Sequence, residues 1–267
     1  MEKFPYLFLG SPPIGPIALQ ALTLADYAPA AVLDDPGASL DEQLAAVDAS
    51  QATFILVVGY GAILKQPLLD SVAGQVLNIH PSLLPQYRGP SPVVQAILDG
   101  ARETGVTLME IDRQMDHGPI LAQERIPLRG NELPGDLYNI LTVKGVDLFL
   151  QNINDYLQEQ LTLTPQNHAE ATFTRLIKKE DGRLDFRKPA EELERQIRAF
   201  HDWPRSWTEY KGKRLIIEKA HLENGQLMFD LVQPENGKVM TFAAFCAGQR
   251  QQPHDIYHKL TLWKSQE

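Results

Sequence analysis

The apolar run VLNIH carries an amide and an imidazole two residues apart, Asn78 and His80, immediately before Pro81. Successive side chains of a strand point to opposite faces, so residues two apart share a face. Proline cannot donate to a ladder, so the strand stops at His80 and both groups project from its end. Further along, the loop DRQMDHG supplies Asp112, Asp116 and His117. A carboxylate beside an imidazole orients it and stabilises its charged form. A carboxamide can donate to a developing oxyanion. Asn78, His80 and Asp116 together are therefore equipment for acyl transfer without a covalent intermediate. The stretch after His80, PSLLPQYRGPSP, is rich in proline and glycine, which makes a stiff, shaped loop.

Other chemistries lack their signatures. GSPPIG (10–15) does not have the glycine spacing of a dinucleotide loop, and no phosphate-binding loop or Gly-x-Ser-x-Gly elbow occurs. The seven histidines fall in no ligand spacing, so no metal is expected. His254 and His258, four apart, lie in a polar tail and are expected to face solvent. Cys246 is the only cysteine, which leaves no intrachain disulfide and suits a cytoplasmic protein. No apolar run approaches the ~20 residues needed to span a bilayer, and MEKFPYLFLG reads as a buried first strand, not a signal peptide. A monomer with no membrane association is expected.

Strand and helix signals alternate through the first half. YLFLG, AAVLD, TFILVVG and VLNIH read as strands, with helical stretches between them. That alternation predicts an α/β domain with a mostly parallel, buried sheet, which places ligands beyond its C-terminal strand ends. Ser91-Pro92 is a helix start, and VTLMEI (106–111) and PILAQERIPL (119–128) are two further strands. A long helix over 134–158 has an apolar stripe of Val146, Phe149, Leu150, Ile153 and Leu157. After a polar stretch, KPAEELERQIRAF is a helix with Leu193, Ile197 and Phe200 on one face. From Ser206 short strands and turns follow, with hairpin signals at Asn224-Gly225 and Asn236-Gly237. The expected organisation is a domain over 1–160, a linker over 161–189 and a small C-terminal domain over 190–267.

The net charge is −9, but it is unevenly spread. Residues 1–172 hold 8 basic and 20 acidic residues, whereas residues 173–220 hold 13 basic and 9 acidic ones. A basic stretch on an acidic chain permits a polyanion to dock locally.

LNIHPSLLPQYRG followed by GVTLMEIDRQMDHGPILAQ resembles the folate-dependent formyltransferases, and KEDGRLDF, ELERQIRAFHDWPRSW and VQPENGK extend the likeness to the methionyl-tRNA branch of that superfamily. The resemblance covers roughly residues 6–245. It implies a Rossmann-like catalytic domain followed by a small all-β, OB-like domain. By resemblance, Asn78, His80 and Asp116 form the catalytic set, and Ser82, Leu83, Leu84 and Pro85 form the loop against which the folate lies. VVGYG (57–61) corresponds to the wall of the pterin pocket. The implied formyl donor is 10-formyltetrahydrofolate, without metal, and the implied acceptor is methionyl-initiator tRNA. The main alternative keeps the chemistry and takes the amine of a nucleotide-linked sugar. Lys178, Lys179, Arg183, Arg187, Lys188, Lys211, Lys213 and Arg214 are the candidates for phosphate contacts. At 34–43 the chain reads DDPGASLDEQ, short and acidic, where this branch carries a longer basic loop.

Overall fold

The structure, a computed structural model, describes residues 3–262. It divides into two compact units. One contains the chain up to Val93, Arg102–Leu128 and Asp136–Leu176; the other contains Val94–Ala101, Arg129–Gly135 and the chain from Ile177. The segment read as a linker is thus shared between them. Residues up to Leu176 join the first unit because their backbone bonds there: Arg88 N donates to Thr172 O (2.9 Å) and Thr174 N to Arg88 O (2.7 Å).

The elements run β1 (Tyr6–Leu9), α1 (Gly15–Leu24), β2 (Ala31–Leu33), α2 (Leu40–Ser50), β3 (Phe54–Val57), α3 (Gln66–Ser71), β4 (Val76–His80), α4 (Pro92–Leu98), β5 (Glu103–Glu110), β6 (Ile120–Pro127) and α5 (Pro134–Leu157). The first unit's sheet has the order β2-β1-β3-β4-β5-β6. Its first four strands are parallel, and β5 and β6 are added antiparallel. β1 and β3 are buried at every position, as central strands covered on both faces must be. Ser39 caps α2 in a reciprocal box with Glu42, the third residue of the helix.

On α5, Val146, Phe149 and Ile153 are buried as the stripe requires, and Phe149 joins Tyr6, Tyr27 and Phe54 in an aromatic cluster. Gly145 lies against β4, and a methyl built there would stand 2.2 Å from Ile79 Cγ2. The strand that carries Asn78 and His80 is thus backed directly by a helix.

Burial has a pH consequence. It pushes the phenols of Tyr6 and Tyr156 above their ordinary range, and that of Tyr138 up to about 12. Phenols of the unfolded chain lose their protons near pH ~10. Above that pH the unfolded state holds fewer protons than the folded one, so stability falls with rising pH. The contribution is whole below the unfolded value and is lost as pH climbs through the folded one. Absorbance at 295 nm should therefore report buried phenols ionising together with alkaline unfolding. Independent, non-cooperative titration of all eight tyrosines near their free value would contradict this.

The second unit contains α6 (Ala190–Ala199), β7 (Trp207–Tyr210), β8 (Lys213–Glu223), β9 (Gln226–Pro234), β10 (Met240–Thr241), α7 (Phe242–Gly248) and α8 (Pro253–Leu262). Its four strands form an antiparallel sheet in the order β10-β9-β8-β7. The β8–β9 hairpin turns at Asn224 (φ 51°) and Gly225 (φ 76°), both left-handed, as a two-residue turn of this type demands. Leu193 and Ile197 of α6 pack into one core with Phe229, Phe242 and Ile256. Two helices, α7 and α8, follow the strands, in a region whose short apolar runs gave no helical signal. His254 and His258 lie on α8 and are exposed. Among the described residues, no helix is long and apolar enough to cross a membrane.

Candidate functional site

A cavity of about 530 Å³ lies in the first unit, where the chain leaves β1, β3 and β4. That is within the roughly 300–1,000 Å³ of small-ligand sites. Asn78, His80 and Asp116 all line it. Asn78 and His80 come from the end of β4, which pairs with β3 through Val57↔Asn78 and with β5 through His80↔Thr107. His80 is buried, and its Nδ1 stands 3.6 Å from Asp116 Oδ1. At that length the two form an ion-pair approach, not a hydrogen bond. The other carboxylate oxygen of Asp116 accepts from Gly89 N at 2.7 Å.

The neighbours of the imidazole fix its protons. Nε2 lies 3.1 Å from the carbonyl oxygen of Tyr87, which can only accept, so Nε2 carries a hydrogen. Nδ1 is then left facing Asp116 and the cavity. In the loop between β5 and β6 the two acids have separate partners: Asp112 takes His117 Nδ1 at 2.6 Å, and Asp116 faces His80.

Of VVGYG, Val57, Gly59, Tyr60 and Gly61 are among the lining. Ser82, Leu83, Leu84 and Pro85 are not among the lining residues, while their neighbours Pro81, Gly89 and Pro90 are. Ser82 Oγ donates to Gln86 O, and Leu84 N donates to Thr107 Oγ1, which in turn donates to Ser82 O. Gln123 Nε2 donates to both Leu84 O and Thr107 Oγ1. These bonds tie Ser82 and Leu84, both buried, to β5 and β6, while Leu83 and Pro85 are half-buried.

Sequence reasoning missed part of the lining. Pro12, Pro13 and Ile14, in a stretch that matches no ligand-loop spacing, belong to it, and so do Ile111, Arg113, Gln114, Met115 and Tyr138. Proline and isoleucine carry the same signature whether they line a pocket or fill a core, so only the fold reveals them. Among the described residues, no group of three or more His, Cys, Asp or Glu could hold a metal ion.

The arrangement offers a largely apolar cavity whose lining includes an amide, an imidazole and a carboxylate. The formyl transferase family matches residues 19–153, and the formyl transferase C-terminal domain matches residues 176–226. The chain belongs to the formyl transferase family. The methionyl-tRNA formyltransferase of Roseiflexus castenholzii is 45% identical over 169 residues, 63% of this chain and 54% of that protein. The methionyl-tRNA formyltransferase of Chloroflexus aggregans is 38% identical over 244 residues, 80% of this chain and 79% of that one. The chain thus spans about half the length of the first relative and most of the second. HypX from Aquifex aeolicus, solved in complex with tetrahydrofolic acid, superposes with a TM-score of 0.68 at 19% identity, covering 91% of this chain and 47% of that chain. At that identity it attests the fold alone.

In the second unit, seven of the eight candidate phosphate-contacting residues are exposed, and Arg214 is half-buried. The guanidinium carbons of Arg183 and Arg214 lie 5.7 and 4.7 Å from the Trp207 ring centroid. Arg187 pairs with Asp185 and Arg183 with Glu209, which offsets part of the local positive charge.

Proposed function

We propose that this chain transfers the formyl group of 10-formyltetrahydrofolate to the α-amine of methionyl-initiator tRNA, the reaction of a methionyl-tRNA formyltransferase. The observation that carries the reading is the convergence of Asn78, His80 and Asp116 on one cavity, in a chain of this family. Apolar lining residues such as Ile14, Val57 and Ile111 suit a bicyclic ring, and Asn78, His80 and Asp116 suit the carbonyl that reacts.

The acceptor amine must be neutral to attack, and an aminoacyl ester holds a usable neutral fraction near pH 7. Attack on the formyl carbon forms a C–N bond and leaves negative charge on oxygen. Asn78 donates one hydrogen bond to that oxygen. His80 donates another only through Nδ1, because Nε2 is spent on Tyr87 O, so the donating ring is doubly protonated and Asp116 is its counter-charge. A well-placed donor of this kind contributes ~3–4 kcal/mol. Asp116 takes the proton shed by the attacking nitrogen and passes it to the folate nitrogen as that nitrogen's bond to the formyl carbon breaks, which restores the carboxylate.

Catalysis is assigned to residues 1–160 and tRNA docking to the C-terminal domain over 190–267, with 161–189 as the connection that adds Lys178, Lys179, Arg183, Arg187 and Lys188 to the phosphate contacts. The reading puts the protein in the cytoplasm, where its proposed tRNA substrate resides, and has it act as a monomer. The deciding experiment supplies formyl-labelled 10-formyltetrahydrofolate with charged initiator tRNA, with an amino-sugar nucleotide, and with neither. Label on methionyl-tRNA is expected. Label on the sugar amine, or release as formate alone, would replace the acceptor and leave the chemistry standing.

A further inference from the structure

We propose that Gln166 is a positioning residue whose side-chain amide, braced by the Arg88 guanidinium, holds the Asp116 backbone so that its carboxylate faces His80. The inference rests on the reading of Asp116 as the catalytic carboxylate.

Gln166 is buried, in the polar segment that follows α5. Its Nε2 donates to two backbone carbonyls of the β5–β6 loop, Asp116 O at 2.9 Å and Gly118 O at 2.7 Å. Its Oε1 accepts from Arg88 Nε at 3.1 Å and Nη2 at 2.5 Å. Backbone carbonyls only accept and guanidinium groups only donate, so the amide has one allowed orientation and all its principal hydrogen-bonding capacity is engaged. Arg88 is equally buried, and Nη2 also donates to His168 Nδ1 at 2.9 Å.

Asp116 needs such support. Its backbone is left-handed at φ 50°, a conformation that side chains other than glycine seldom adopt. Two attachments hold it: Gln166 grips its carbonyl, and Gly89 N grips its carboxylate. Gly89 is itself at φ 108°, and a methyl there would lie 2.7 Å from Thr174 O. Arg88 and Gly89 are adjacent, so a single turn of chain braces Gln166 with one residue and holds the carboxylate with the next. The arginine and glycine that end SLLPQYRG therefore serve Asp116, although neither needs to touch a substrate.

Gln166→Glu separates this role from a merely structural one. The new carboxylate keeps its bond to Arg88 but has no N–H, and it turns an oxygen toward the two carbonyls it used to hold. We expect kcat to fall by on the order of 10²-fold, the scale of a misplacement of about 1 Å, with KM for both substrates within about twofold. The ¹⁵N resonance of His80 Nδ1 should shift toward its position in Asp116→Asn, because both changes withdraw the same carboxylate. Arg88→Lys, which keeps the charge and loses the fork, should give the same split with a smaller fall and provides the test if Gln166→Glu does not fold. Unchanged kcat together with an unshifted His80 resonance would overturn the inference, and so would a loss confined to KM. Full activity in Asp116→Asn would instead sink the catalytic reading, and the His80 resonance would still report whether Gln166 positions Asp116.

Discussion

Asp116→Asn is expected to lower formyl transfer by ~10²–10⁴-fold, the range lost when a positioned proton-transfer group is removed. The change is nearly isosteric. Asparagine's oxygen can still accept from Gly89 N, so the loop keeps its anchor and only the charge opposite His80 Nδ1 is lost. A ring bonded through Nε2 to Tyr87 O then has no counter-charge for a second proton, and donation to the oxyanion through Nδ1 fails. His80→Ala should cost a similar amount. The double variant should be little worse than either single one, because the two side chains act as a unit. Single-turnover transfer to methionyl-tRNA measures all three. If Asp116→Asn keeps more than about a third of the wild-type rate, or if the two losses multiply, the pair is not the proton-handling unit.

The unequal legibility of the site follows from where its residues sit. Asn78 and His80 could be placed on one face from the sequence because a strand has a strict two-residue period and Pro81 marks its end. Asp116 lies in a loop, which has no period, and Asp112 offered the same chemistry four residues earlier. The choice between them is made by the left-handed turn at Asp116 and by His117, which takes Asp112. The SLLP loop illustrates a different limit. Its residue types suit a ligand wall and a structural brace equally well, and only the fold reveals that the hydroxyl of Thr107, buried on β5, ties Ser82 and Leu84 to the sheet. Gln166 was least visible. It stands in a stretch without helical or strand patterning, and its partners, Arg88 and Asp116, are remote in sequence. The fold was more legible because the parallel core strands are short apolar runs and α5 repeats its apolar stripe over many turns. The two closing helices escaped notice because α7 is brief and α8 is mostly polar.

Phe149→Ala is expected to destabilise the first unit by about 3–5 kcal/mol, the usual cost of truncating a buried phenylalanine. Phe149 is fully buried, and its ring centroid lies 6.1 Å from that of Tyr6, 5.7 Å from that of Tyr27 and 6.0 Å from that of Phe54. Tyr6 and Phe54 are stacked at 4.9 Å on the adjacent strands β1 and β3. Neither strand can move into the space without breaking its ladder, so the void would stay largely open and the full cost should be felt. Domains have about 5–15 kcal/mol of stability in all, so a loss of this size approaches the threshold of folding. Trp203 and Trp207, the tryptophans among the described residues, lie outside this unit, so fluorescence is a poor probe of it. Amide hydrogen exchange in β1 and β3 reads it directly, and protection there should fall by on the order of 10²-fold or more. Val143→Ala supplies the contrast: it lies on the same helix but is 44% exposed, and its cost should be within about 0.5 kcal/mol. The same helix backs β4 through Gly145, so a loosened α5 would also release the strand end that holds Asn78 and His80. Transfer activity in Phe149→Ala should therefore decline at lower temperature than in the wild type, in step with the loss of amide protection. Equal protection losses in the two variants would mean that the aromatic cluster does not bind α5 to the sheet, and that the site is held from elsewhere.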